Sequence, residues 1–245
     1  MITTVINLIN RSTLITDADL FTITGAINLV LPTFCTSWNI SLPKCQFIAK
    51  GKTIPPGLTN VYVMDTPDVS GAFGYHLELN DLAVARVFVK VILDNGGGIM
   101  TGKRSPVSVS QVISHEIFEL LADPLCNSWW NTPDYSKFYA WEVCDPVQGN
   151  RITVFSNKTS VTISDWILPA WSDPQNTKGP FNYTKTLKGP FQVAPNGYVI
   201  SCTSGDVSYV FGNTIPEWLK NSRISANRVS LRLSVPSTSS DDTAS

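Results

Sequence analysis

The sequence predicts an α+β chain, on three observations: two helical patterns flank short β-type runs, no regular βαβ alternation is present, and the second half is rich in Trp, Pro, Gly and Asn with only short β runs. The 245 residues are 43% hydrophobic, enough for one core, so residues 1–235 are expected to form a single domain. The end, 236–245 (PSTSSDDTAS), has no large apolar residue and is expected to be a disordered tail.

The first helix is expected over 17–34. Leu20, Ile23, Ile27, Val30 or Leu31 and Phe34 recur at helical spacing, Thr16 is a suitable N-cap, and Asp17 and Asp19 fall in the first turn. Short strands follow at 46–49 and 61–64, on either side of the turn-forming Pro55-Pro56-Gly57. The run 86–93 (RVFVKVIL) is dense in β-branched and aromatic residues and reads as a long strand closed by the glycine loop 94–98. A second helix is expected over 107–122, stopped by Asp123-Pro124. Beyond it, β-type runs at 152–155, 161–163, 198–202 and 229–233 predict a small antiparallel sheet in a loop-rich frame.

Charge narrows the function classes. With 18 Lys+Arg against 19 Asp+Glu, charged residues make up only 15% of the chain, where about 25% is usual, so the exterior is expected to be polar but uncharged. No Lys/Arg run is present to neutralise phosphates, which excludes a basic-groove nucleic-acid binder. No uninterrupted apolar stretch approaches the roughly 18–20 residues of a membrane span. The N-terminus MITTVINLINRS lacks a basic start, so no signal peptide is expected. Five cysteines are present without any CxxC pair, and most of them read as small buried hydrophobes. The aromatic cluster Trp129, Trp130, Tyr135, Phe138, Tyr139 and Trp141 reads as core rather than as a cleft lining.

Chemistry concentrates in the second helix, at Ser114-His115-Glu116-Ile117-Phe118-Glu119. At about 100° per residue, His115 and Glu119 lie roughly 40° apart on one face, while Val109, Ile113, Ile117 and Leu120 gather on the other. Ligands spaced i, i+4 are one turn apart and reach one cation; Glu116, projecting beside them, can reach a water next to it. Downstream, Glu142 and Asp145 offer a third ligand, 23 and 26 residues past Glu119. Asp123 ends the helix and also lies within reach of the site. Only one other histidine exists, His76, beside Tyr75.

This pattern resembles the zincin metallopeptidases, more closely the branch whose third ligand is a glutamate about twenty residues past the helix and is followed by an aspartate. HExxE here replaces HExxH, and Glu142 and Asp145 stand three apart rather than four. The chain is also similar to uncharacterised zincin-like proteins with HExxE and a short E-x-C-D segment, some of them phage-encoded. The resemblance implies a zincin-like core with a mixed sheet and an active-site helix, Zn²⁺ or another divalent ion as cofactor, and a peptide or protein substrate. His115, Glu119 and Glu142 would be metal ligands, Glu116 the general base, and Asp145 the partner that orients His115. His76 would be a fourth ligand or, like Tyr75, an oxyanion stabiliser, and 86–93 the edge strand that receives an extended peptide. Neither Met64 nor Met100 follows the helix, which disfavours the branch with a Met-turn. One His and two Glu ligands cancel the charge of a divalent ion and weaken it as a Lewis acid, so activity is expected to be slow or absent. The low surface charge, the many Ser, Thr and Asn residues and the phage-like resemblance make a catalytically degenerate scaffold packing against other virion subunits the alternative. Location then divides between cytoplasm and virion.

Overall fold

The computed structural model describes residues 4–102 and 107–225. In chain order it forms β1 (Val5–Asn10), α1 (Asp17–Trp38), β2 (Lys44–Ile48), β3 (Thr59–Met64), β4 (Gly74–Leu79), β5 (Leu82–Phe88), α2 (Val89–Asp94), α3 (Val109–Ala122), β6 (Trp129–Asn131), β7 (Lys137–Ala140), β8 (Arg151–Ser156), β9 (Thr159–Ser164), β10 (Tyr198–Thr203), β11 (Asp206–Phe211) and α4 (Glu217–Ser225), with short 3-10 turns at Asp145–Val147 and Pro169–Ser172. The α+β expectation holds.

Three sheets are present among the described residues: a mixed five-stranded one in the order β2-β1-β3-β5-β4, an antiparallel four-stranded one, β11-β10-β7-β6, and the hairpin β8-β9. In the large sheet every neighbouring pair is parallel except β4 with β5. Strand alternation sends Ile6, Leu8, Val61, Val63, Ala85 and Val87 to one face, where they join α1 and α3 in the main core. On the other face Gln46, Asn7 and Asn60 form a polar ladder across β2, β1 and β3, with Gln46 donating to Asn7 at 2.6 Å and Asn7 to Asn60 at 2.9 Å.

α1 begins where the sequence indicates, because Thr16 and Asp19 cap each other's backbone amides reciprocally. It runs four residues past Phe34 despite Pro32, and by length and composition alone it would pass as a membrane span. Its apolar residues Leu20, Ile23, Ile27, Leu31 and Phe34 are instead covered by protein. α3 is the molecule's central helix: every residue from Val109 to Leu121 is buried, between β4 and β5 on one side and β9 on another. Its His/Glu face therefore meets protein rather than the open cleft that amphipathicity suggests.

The run 86–93 is not one strand. β5 stops at Phe88, and Val89–Asp94 coils into α2, with the Lys90 amide donating to the Asp65 carbonyl (2.9 Å) and the Gly97 amide to that of Ile92 (3.0 Å). Val89 and Ile92, three apart, enter the core together, so tertiary burial overrides β-branched preference. Nor is this run an edge, since β5 lies between β3 and β4; the edges of this sheet are β2 and β4. β4 closes on β5 through Asn80-Asp81, both at positive φ (51° and 64°), the two-residue turn whose twist suits a hairpin. His76, which precedes the run read as a strand, is therefore held in a strand of its own, β4. β1, β6, β7 and β11 also lie outside the strands expected. Trp130 and Trp141 stack at 4.3 Å, and Tyr139 on Phe191 at 4.8 Å, so the aromatic cluster is packing, with Tyr135 exposed. The runs 229–233 and 236–245 lie outside the described residues.

Candidate metal centre

α3 is fastened along its length before any site residue is considered. Ser108 caps its N-terminus by accepting from the Gln111 amide (3.2 Å), the Gln111 side chain donates to the carbonyls of Gln148 (2.8 Å) and Asn150 (3.1 Å), and the Ser114 hydroxyl accepts from the Ser164 amide (2.9 Å). Phe118 stacks on Phe34 at 4.4 Å and meets Trp166 edge-on. Next to Gln111 and Phe118 round the helix come His115 and Glu119, with Glu116 further round.

Glu119 organises the centre with both oxygens. Oε1 accepts from the amides of Cys144 and Asp145, each at 3.2 Å, which draws the 3-10 turn at Asp145–Val147 against the helix. Oε2 faces His115 Nε2 at 3.1 Å, and Asp145 Oδ1 reaches the same nitrogen at 3.1 Å. Donor atoms bonded at ~2.1 Å around one tetrahedral ion lie about 3.4 Å apart, so one imidazole nitrogen and two carboxylate oxygens at this spacing fit a small divalent ion. Asp145 Oδ2, itself buried, has no hydrogen-bond partner, as expected of an oxygen left for a ligand.

A second knot of donors adjoins on the β4 side. His76 Nε2 donates to the Asp123 carbonyl (3.0 Å), and its Nδ1 lies 3.7 Å from Glu116 Oε2. Donor atoms of His76, Glu116 and Glu119 lie within 4.8 Å of one another, as do those of His76, Cys126 and Glu142, and those of His115, Glu119 and Cys144. Gly74, one turn of the pleat from His76, has no room for a side chain: a Cβ there would stand 2.8 Å from Glu116 Oε1 and 3.0 Å from a Val112 methyl.

Burial with like charge dominates the electrostatics. Burial alone would lower the pKa of His115, but Glu119 and Asp145 outweigh it and lift it to about 10. For His76 burial likewise opposes the charge, and Cys126, Glu142 and Glu116 raise the pKa well above the usual value. Burial pushes Glu119 up; His115 opposes this, Asp145 and Glu142 add to it, and the result is about 7. Burial and the neighbouring Glu119 raise the Cys144 thiol.

Asp145 Oδ1 meets the same ring nitrogen of His115 that faces Glu119, not the other one. Glu142 groups with His76 and Cys126 instead of with His115 and Glu119. Asp123 does not turn its carboxylate to the site: it accepts from the Asn127 amide and from the amide and hydroxyl of Ser128, and only its backbone carbonyl, on His76, takes part. Tyr75 faces the other side of β4, where its hydroxyl donates to Asp68 (2.7 Å) and accepts from Arg86 (3.0 Å), away from any oxyanion beside Glu116. Cys126 and Cys144 enter the centre unannounced by any CxxC spacing. No family model, curated protein or solved structure matches the chain.

Proposed function

We propose that this protein is a zinc-dependent, peptidase-like hydrolase on a zincin-like core, in which His115, Glu119 and Asp145 hold a divalent ion and Glu116 is the general base. The observation that carries the reading is the meeting of His115 Nε2 with Glu119 Oε2 and Asp145 Oδ1, each at 3.1 Å. A bound divalent ion supplies charge that polarises a carbonyl and makes water easier to deprotonate. Glu116 follows His115 on α3, so its carboxylate receives the proton of the attacking water and passes it to the leaving amine. His76 Nδ1 lies 3.7 Å from that carboxylate, on the β4 side. β4 is the outermost strand beside α3, and an extended peptide adding to its outer edge would run past His76.

A second reading, a catalytically degenerate scaffold that packs against other virion subunits, is favoured by two facts. His115 is only 6% exposed and the other site residues less, while Phe21 (56%), Leu29 (62%) and Phe155 (72%) face solvent. Hydrolysis of a peptide library by the zinc-loaded protein separates the two. Glu116→Gln is expected to lower the rate by about 10²–10⁴-fold with metal content unchanged. A Glu116→Gln protein as active as the parent contradicts the base assignment, and a stoichiometric ion in an inert parent favours the scaffold.

A further inference from the structure

We infer that His76, Cys126 and Glu142 form a second divalent-cation site beside the first, so that the protein holds a pair of ions flanking Glu116 and Glu119. The inference rests on the metal-binding reading of His115, Glu119 and Asp145 only for the identity of the neighbouring ion. The donors of the second site are its own.

The residues are arranged as ligands are. His76 is 1% exposed, Cys126 6% and Glu142 2%, and one nitrogen, one sulfur and one carboxylate oxygen from them lie within 4.8 Å of one another. A carbonyl only accepts, so the contact of His76 Nε2 with the Asp123 carbonyl (3.0 Å) places a proton on Nε2 and makes Nδ1 the nitrogen that an ion would take. That nitrogen is fully enclosed and has no hydrogen-bond partner; Glu116 Oε2, at 3.7 Å, is beyond reach of one. A histidine whose second nitrogen is tied to a backbone carbonyl is the usual form of a metal ligand.

Asp123 builds the other side as well. Its carbonyl also accepts from the Cys126 amide (3.0 Å), so one oxygen fixes two of the three donors. Its carboxylate holds the next residues through the Asn127 amide and both donors of Ser128. Cys126 itself sits at φ +52°, a left-handed conformation rare for a residue of its kind, and its thiol lies 3.8 Å from Glu142 Oε1. Strained backbone of this kind persists where surrounding contacts impose it, and it clusters at functional sites.

Charge supplies the independent argument. Four buried carboxylates, Glu116, Glu119, Glu142 and Asp145, share this part of the interior, and two imidazoles face them. With the histidines neutral and Cys126 bound as thiolate, one divalent ion leaves three negative charges uncompensated in this buried region, and two divalent ions leave one. A sulfur, nitrogen and oxygen donor set selects Zn²⁺ or Co²⁺ over Mg²⁺ and Ca²⁺.

Titration of the metal-free full chain with Co²⁺, followed by bound-metal analysis and near-ultraviolet absorbance, tests the site. Two equivalents are expected, with a thiolate-to-cobalt band. Cys126→Ser, which keeps the side-chain volume, should lose that band and bind one equivalent; His115→Ala should keep the band and bind one. One equivalent in the parent, lost in His115→Ala and kept in Cys126→Ser, overturns the second site and leaves the first standing. One equivalent that follows Cys126 supports the second site and overturns the first. No bound Co²⁺, or a band unchanged in Cys126→Ser, overturns the inference from the parent and the conservative variant alone.

Discussion

At His115 the decisive detail is which nitrogen the carboxylates meet. Glu119 and Asp145 both approach Nε2, whereas a carboxylate that only orients a ligand histidine binds the nitrogen turned away from the ion. Asp145→Asn should therefore weaken Zn²⁺ binding by more than about 100-fold, beyond the 10–100-fold that loss of an orienting partner costs, as read by competition with a chelating dye. A change below 10-fold would return Asp145 to the supporting role. At this scale the sequence shows what is local. The i, i+4 spacing of His115 and Glu119 follows from helix periodicity alone, and so does the place of Glu116. That Asp145 rather than Glu142 lies beside His115 depends on Glu119 Oε1 gripping two successive amides, and nothing in the E-x-C-D spacing encodes that grip. His76 and Cys126 converge from 50 residues apart through one carbonyl, a contact with no sequence signature.

At the scale of elements, β4 and α3 approach so closely that Gly74 is the spacer between them. A Cβ at Gly74 would press on Glu116 Oε1 (2.8 Å), Glu116 Cγ (2.9 Å) and Val112 (3.0 Å). Gly74→Ala should cost about 1–3 kcal/mol of stability through overpacking and displace Glu116, lowering hydrolysis while zinc content stays at the parent level. Parent activity in Gly74→Ala would show that the strand can yield without moving the carboxylate. α1 and α3 are legible because caps and periodicity are short-range, as Thr16 with Asp19 shows, whereas α4 is not among the expected elements. The run 86–93 is not legible, because its β-branched residues suit a strand in isolation and a core-facing helical turn once Val89 and Ile92 have a core to enter. β4 escaped notice for the converse reason: Gly74 and His76 are poor strand formers, placed there by the hairpin with β5 and by the packing of α3.

At the scale of the whole molecule, a chain with 15% charged residues keeps four carboxylates together in its interior. In the metal-free protein the raised pKa values of His115 (about 10) and Glu119 (about 7) mean that the folded state holds protons that the unfolded chain releases at lower pH. Stability from both groups is thus present at low pH and lost as pH rises, through the window between about 4.5 and 7 for Glu119 and between about 6.5 and 10 for His115. The chelated protein should melt at a lower temperature at pH 9 than at pH 6. Zinc at 100 times its Kd should add about 2.7 kcal/mol, a rise of roughly 5–10 °C in Tm, and should flatten the pH dependence. A metal-free protein whose Tm is flat or rises over that range would contradict the proton-filled centre.

The central claim is that α3, the turn after Cys144 and the buried carboxylates exist to hold a divalent ion. A crystal structure of the zinc-loaded protein, with anomalous scattering measured at the zinc edge, tests it most directly. The account predicts an anomalous peak bounded by His115 Nε2, Glu119 Oε2 and Asp145 Oδ1. A map with no peak between those three atoms, from crystals grown with zinc in excess, would contradict it.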